Sequence, residues 1–372
     1  MKMNKIPIVP RSCPICSSVN SETLWEYEYL TKTCNQSWLF NVHNVICTTC
    51  GFVFTSPVAD ENVLMSYYAD SFTRFVTQDL DYNVDKRICI VQKYVDKREV
   101  FVEFGANVKT EFHNRLEKLF SSVLTAEPNE SASSDFKKIS DISNIQADCV
   151  AHYFVLEHVP DISTFLQQIR LLLKPEGIMI CEVPLLSLYE KYISPLILHE
   201  HVNHFSINSL IAIAAQNGFE LIDSSVEECS RPFGFVSVFR KVEYSEELIP
   251  DEYAQNKKLF LKGLHQKDLF LKVIEEARSL IRECEDDIIL IYAANETTKK
   301  LINNLNIPKN VYVVDSNPLK RDYFAPMLRV YLPEEVKDEI LVAKHLIICT
   351  QNHAKSIIKN LETNYKKTFQ TN

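Results

Sequence analysis

The sequence predicts an α/β protein, and three observations carry that expectation. Between residues 61 and 245, short apolar runs alternate with amphipathic stretches. The carboxy-terminal third repeats the same alternation. The first 60 residues differ: they hold five of the eleven cysteines and read as short strands and turns. The expected organisation is therefore a small domain at 1–60, a central α/β domain at 61–245 and a second α/β domain at 246–372.

In the central block the strand candidates are Val100–Phe104, Val123–Glu127, Cys149–Tyr153, Ile178–Val183, Phe219–Ser225 and Gly234–Arg240. Helical spacing marks Lys109–Ser121, Ile162–Leu173 and Ile207–Asn217. Strands alternating with helices require crossover connections and give a mostly parallel sheet. The last two strands are close enough in sequence for an antiparallel hairpin at one edge. A charged segment, Glu243–Glu285, keeps helical periodicity and reads as a bridge between domains. Beyond it, "IILIYAANETTKKLINNL" is a strand, a turn and a helix. "NVYVVDSNP" is a strand ending in an acid, and "VAKHLIICTQNHAKSIIKNL" is a strand and a helix.

Bulk properties exclude several classes. The formal net charge is -9, which disfavours a sequence-independent grip on nucleic acid. No run approaches the 18 apolar residues of a membrane span. "MKMNKIPIVPRSC" lacks the apolar centre of a signal peptide, so the expectation is a cytoplasmic protein with reduced cysteines.

"CPIC" at Cys13 and Cys16 and "CTTCG" at Cys47 and Cys50 are two C-x-x-C knuckles with 30 residues between them. Four thiolates so placed suit a closed tetrahedral structural zinc site. The alternative is a set of buried small apolar residues, and the remaining cysteines are read that way.

"VFVEFGANVKTEF" at Val100–Phe112 has the outline of a strand-turn-helix ligand site. Such turns bring backbone amides and a helix N-terminus to a nucleotide-type ligand. Further on, "LHEHVNHFS" at Leu198–Ser206 concentrates three histidines and one acid. Histidine is the natural base near neutral pH, which makes His201, with Glu200 beside it, the candidate for proton removal. Structural imidazoles and a metal site are the alternatives. The spacing is not the i, i+4 pair of zinc proteases.

From Asp148 the chain reads "DCVAHYFVLEHVPDISTFLQQIRLLLKPEGIMICEVP". The Leu-Glu-His-Val step and "LLKPEGI" resemble the fourth- and fifth-strand region of class I S-adenosylmethionine-dependent methyltransferases. The resemblance implies a central Rossmann-like sheet with the cofactor turn at 103–109. Glu103 and Gly105 match the family's acid-x-Gly-x-Gly-x-Gly pattern, while Asn107 and Lys109 stand at the second and third glycines. Glu127 would hold the ribose, 24 residues after Glu103. Only 20 residues separate Glu127 from Asp148. The helix that borders the adenine is therefore expected to be short or replaced by a loop, with Asp141 the candidate adenine contact.

Together the three blocks resemble sugar C-methyltransferases that act on nucleotide-linked deoxysugars. Those proteins join a zinc-binding domain, a methyltransferase domain and a carboxy-terminal Rossmann-like domain. The resemblance implies His201 as the base acting next to a sugar ketone, with Glu200 orienting it and His158 stabilising the enolate. Tyr68, in "SYYADSF", and His199 are the candidate substrate contacts. Leu198 departs from the family's tyrosine, and Tyr189 and Tyr192 lie on the preceding loop. The expected cofactors are S-adenosylmethionine and structural zinc. The expected partner is a nucleotide-linked sugar, with no nucleic acid and no membrane. The rival expectation is a binding or scaffold protein that keeps this fold and has lost the cofactor. A redox role for the third block is disfavoured, because "YAANETT" lacks the Gly-x-Gly-x-x-Gly fingerprint.

Overall fold

The computed structural model describes residues 3–32, 37–71, 83–106, 109–128, 132–142, 145–193, 196, 199–243, 249–284, 286–302, 305–324, 328–350 and 353–369. The chain divides into two compact units, Met1–Lys267 and Asp268–Asn372. The boundary falls within one helix, Tyr253–Glu283, in the segment expected to be helical.

The first unit is built on a six-stranded sheet. Its order is Phe219–Ser225, Gly234–Lys241, Leu173–Pro184, Ala147–Tyr153, Val100–Phe104, Ser122–Ala126. The last four strands are mutually parallel. Gly234–Lys241 runs antiparallel to Leu173–Pro184 and to Phe219–Ser225, the edge hairpin expected from their spacing. Every residue of Ala147–Tyr153 is buried, as a central parallel strand covered on both faces requires. The helix Ile162–Leu172 turns Ile162, Leu166, Ile169 and Leu172 inward, the i, i+4, i+7 spacing of one apolar face. Asp161 caps it, accepting from Thr164 N at 3.0 Å, an interaction of about 1 kcal/mol.

Two expectations change. The helix expected at Lys109–Ser121 is shorter, Glu111–Leu116, because Thr110 caps it at one end and the chain turns after Leu116. The amino-terminal block is not made of short strands only. Ser21–Lys32 and Ser37–Cys47 form a long antiparallel hairpin, in register from Ser21 opposite Cys47 to Lys32 opposite Ser37. Glu26 and Glu28 alternate with Trp25, Tyr27 and Tyr29 along it, so no continuous apolar run announces its length. Between Glu127 and Asp148 the described residues contain one 3₁₀ turn, Ile139–Ile142, and a single parallel bridge from Phe136 to Ala126. This agrees with the short connection expected there.

A segment from the central block completes the amino-terminal sheet. Asn203–His204 pairs antiparallel with Val53–Phe54, which brings the histidine-rich stretch onto that sheet.

The second unit holds a four-stranded parallel sheet in the order Val330–Tyr331, Val311–Val314, Ile289–Tyr292, His345–Ile348. No helix among the described residues is long and apolar enough to cross a membrane.

Candidate active site and cysteine cluster

The four knuckle cysteines converge. Cys13 Sγ lies 3.5 Å from Cys50 Sγ, and Cys16 Sγ lies 3.4 Å from Cys47 Sγ. All four sulfurs are within 4.8 Å of one another. Each knuckle closes on itself, Ser17 N donating to Cys13 O and Gly51 N to Cys47 O. Gly51 has φ +80°, and a Cβ there would meet Tyr253 N at 2.3 Å, so glycine is required. The hydrogen bond from Cys50 lowers the Cys13 thiol to about 6, favouring a thiolate. Tetrahedral zinc with bonds of about 2.3 Å fits sulfurs at this spacing.

Backbone pairing brings the histidines to their places. Thr55 N donates to Val202 O at 2.9 Å, and Val202 N donates to Glu157 O at 2.8 Å. Val202 is thus held between the amino-terminal sheet and the turn that carries Glu157 and His158. Arg11, half-buried, ties the same three segments together. Its Nε donates to Thr55 O at 2.8 Å, Nη1 to Pro160 O at 2.6 Å, and Nη2 to Val202 O at 2.5 Å and Asn203 Oδ1 at 2.9 Å. Burial lowers this guanidinium to about 9. Asn203 Nδ2 donates to the carbonyls of Leu156 and Val159 at 3.0 and 2.8 Å, fixing the turn from the other side.

The result is a facing pair of imidazoles. His158 and His201 have ring centroids 4.7 Å apart at 83°. Glu157 lies between them, 1% exposed, with Oε1 3.9 Å from His158 Nε2 and 4.0 Å from His201 Nε2. Burial lowers His158 to about 4, so its ring is neutral at pH 7. Burial raises Glu157 to about 8, with the field of Glu182 adding to it.

Glu200 and His199 face a different neighbour. The Tyr67 hydroxyl donates to Glu200 Oε1 at 2.8 Å, and its oxygen lies 3.1 Å from His199 Nε2. The His199 ring stacks on Tyr29, centroids 4.4 Å apart, and packs against Phe40. His204 is a satisfied core histidine, held by the Tyr189 hydroxyl at 2.9 Å and Asn44 Nδ2 at 3.0 Å. Burial lowers it to about 3. Tyr189 is fully buried in that contact, and Tyr192 packs against Phe233.

At the same carboxyl edge of the sheet, Gly105 leaves Val100–Phe104 with φ +85°. Its amide donates to Ala126 O at 2.9 Å, which sets the turn beside the end of Ser122–Ala126, where half-buried Glu127 follows. A Cβ on residue 105 would lie 2.5 Å from Val155 Cγ2. Glu103 is buried, with Oε2 3.1 Å from His113 Nε2. Lys109 reaches Val123 O at 3.3 Å and Glu117 Oε1 at 3.4 Å, so its ammonium is directed onto the neighbouring strand and helix. Asp141 is exposed and accepts from Lys138 N at 3.1 Å. Asn107 and Leu198 lie outside the described residues, as does the side chain of Tyr68, whose backbone belongs to the helix Glu61–Ser71.

Residues 61–224 match the family model described as "Methyltransferase domain". This stretch has a class I methyltransferase fold. The match places Gly105, Glu127 and the Glu157–His158 turn inside the methyltransferase domain, and His201 near its end. The chain is also similar to the C-methyltransferase NovU of Streptomyces niveus, 24% identical over 211 residues. That similarity covers 50% of this chain and 48% of the relative, about half of each. Among solved structures it is similar to the 1,6-didemethyltoxoflavin-N1-methyltransferase of Burkholderia thailandensis. The identity is 15% and the TM-score 0.37, over 52% of this chain and 96% of that one. It is also similar to the magnesium protoporphyrin IX methyltransferase of Synechocystis PCC 6803, at 14% and 0.37, over 49% and 100%.

Sequence reasoning missed Tyr67, Arg11 and Glu157 in this methyltransferase domain and its flanking sheet. Tyr67 meets Glu200 across 133 positions and Arg11 meets Asn203 across 192, separations at which a single sequence carries no pairing signal. Glu157 was legible as part of Leu-Glu-His-Val. Its burial against two histidines was not.

Proposed function

We propose that this chain is an S-adenosylmethionine-dependent methyltransferase whose acceptor is a carbon next to the ketone of a nucleotide-linked deoxysugar. The observation that carries this reading is the facing of His158 and His201 across Glu157, on a turn that follows a strand of the methyltransferase sheet. The similarity to a C-methyltransferase supports carbon as the acceptor.

In this reading Gly105 and Glu127 hold the cofactor, with Glu103 behind the turn. The fit rests on Gly105, whose backbone angle and close approach to Val155 leave no room for a side chain. S-adenosylmethionine supplies an electrophilic methyl group already activated by its sulfonium. His201 takes the proton from the acceptor carbon, and neutral His158 stands at the developing enolate oxygen. Tyr67 fixes Glu200 and His199 at the rim of the same segment. The four cysteines hold one structural zinc ion, supported by their mutual spacing. The setting is cytoplasmic, and the partner is a small molecule rather than nucleic acid.

A second reading, a binding protein that has lost the cofactor, draws on two features. Glu103 is engaged by buried His113, and among the described residues between Glu127 and Asp148 a single bridge, from Phe136 to Ala126, joins the sheet. Calorimetric titration with S-adenosylmethionine separates the two. The methyltransferase reading expects binding, with methyl transfer to a nucleoside-diphosphate keto-deoxysugar that His201→Ala abolishes while binding persists. No heat of binding at millimolar cofactor would favour the second reading.

A further inference from the structure

Glu157 is the group whose chemistry is least explained by the packing around it. Its side chain is 1% exposed, and neither carboxyl oxygen has a hydrogen-bond partner among the described residues. An unpaired buried carboxyl group is destabilising in an ordinary core. Here it also sits between two imidazoles. Oε1 is 3.9 Å from His158 Nε2 and 4.0 Å from His201 Nε2, and the three atoms lie within 4.8 Å of one another. These gaps are too long for direct hydrogen bonds, and one oxygen atom fits about 2.8 Å from both Glu157 Oε1 and His158 Nε2, with His201 Nε2 left to face the neighbouring carbon.

We infer that the Glu157 carboxyl O–H donates a hydrogen bond to the ketone oxygen of the acceptor, opposite His201. This rests on the methyltransferase reading above. In the enolisation step the C–H bond beside the ketone breaks and its proton passes to the His201 imidazole. The C–H electron pair becomes the new C=C bond, and the carbonyl π pair moves onto the oxygen. Glu157 keeps its proton and stabilises that oxygen, with His158 as its other neighbour. A carboxylic acid is suited to this role when its surroundings hold it neutral at pH 7.

The surroundings do so. From its own turn Glu157 is faced by His158, kept neutral by burial. From the strand Leu173–Pro184 it is faced by Cys181, whose thiol burial holds protonated, and by the field of Glu182. Glu182 is itself paired with Arg87 Nη2 at 3.2 Å and with Ser230. Tyr189, also held protonated by burial, faces it from the following turn. His201 faces it from the segment that precedes Asn203–His204, and Arg11 binds the carbonyls of Pro160 and Val202 on either side. Burial is the largest cause of the upward shift of Glu157 to about 8.

The test uses the full chain with S-adenosylhomocysteine bound and a nucleoside-diphosphate keto-deoxysugar as the probe. Deuterium wash-in at the carbon beside the ketone is followed by mass spectrometry from pH 6 to 10. Wild type is expected to lose exchange as the pH rises through the Glu157 value of about 8. Glu157→Gln keeps a neutral donor, so it is expected to retain exchange within about tenfold and to lose the alkaline decline. Glu157→Leu is expected to slow exchange by about 100-fold or more, the loss of one oxyanion donor. A difference infrared spectrum of Glu157→Gln against wild type at pH 7 should show a carboxylic-acid C=O band in wild type alone, a readout independent of folding losses in Glu157→Leu. The inference is overturned if that band is absent, if wild type and Glu157→Gln share one pH profile, or if Glu157→Leu exchanges at the wild-type rate. A second equivalent of bound zinc that disappears in Glu157→Gln also overturns it, by assigning the three groups to a metal. If wild type neither exchanges nor methylates the probe, the proposed function fails and takes this inference with it. If wild type turns over and only the Glu157 results go the other way, the inference alone fails.

Discussion

Two turns in this chain leave the first strand of a parallel sheet with nearly the same backbone angle. Gly105 follows Val100–Phe104 at φ +85°, and Ala293 follows Ile289–Tyr292 at φ +84°. Both amides donate to the end of the neighbouring strand, Gly105 N to Ala126 O and Ala293 N to Val314 O, each at 2.9 Å. The next step differs. In the second unit the acid that follows the neighbouring strand, Asp315, accepts from Ala294 N at 2.8 Å and lies 3.6 Å from Lys320 Nζ. Asn295 closes the turn further, Nδ2 donating to Cys349 O at 2.7 Å. A shared backbone shape is therefore not a shared site. In the second unit the strand-end acid serves the turn itself. The left-handed angle there is carried by an alanine, at a cost of about 1–2 kcal/mol.

Acid should separate the two units most strongly. Burial lowers His152 to about 3, His158 to about 4 and His204 to about 3, so all three are neutral in the folded first unit. The unfolded chain protonates them near 6.5. As the pH falls through that value the unfolded state takes up protons the folded state refuses, and stability is lost. The loss is about 2 kcal/mol per histidine at pH 5. The second unit contains His345 and His353, and neither is buried. Amide exchange at pH 5 against pH 7, corrected for intrinsic rates, should show protection falling in Ala147–Tyr153 while Ile289–Tyr292 holds. Equal loss in both strands would break the comparison.

Gly105→Ala comes next. The added methyl would stand 2.5 Å from Val155 Cγ2 at a positive φ. It should cost about 2 kcal/mol of stability and weaken S-adenosylmethionine binding at least tenfold, read by chemical denaturation and calorimetry. The smallest effect is Ala293→Gly, which relieves the left-handed alanine. A gain of up to about 1 kcal/mol is expected, with no change in cofactor binding. A loss of stability in that variant would mean that Ala293 is not strained.

These two turns also show what a single sequence can and cannot carry. The strands before them were legible, because buried parallel strands are short continuous apolar runs. So were the cysteine knuckles and the helix Ile162–Leu172, each a local pattern. Glycine count alone misjudges both turns. "FGANVKT" reads as crowded by Lys109, yet its ammonium is directed to Val123 O and Glu117. "YAANETT" reads as lacking the turn, yet Ala293 adopts it. The Tyr67–Glu200 contact and the place of Glu157 between two histidines depend on pairings across more than a hundred and across more than forty residues. The long hairpin Ser21–Lys32 with Ser37–Cys47 was hidden by its own alternation, which breaks the apolar signal into pieces.

The strand Asn203–His204 has one more consequence. It joins Val53–Phe54 across about 150 residues of chain, and Arg11 binds Val202 and Asn203 from still farther away. Contacts of that separation close the largest loops and so form late during folding. A newly made chain is therefore expected to have its parallel sheet before the segment at 201–204 is seated. Under the proposed function, a chain unable to order its first sixty residues would leave His201 unplaced and would be silent rather than half-active.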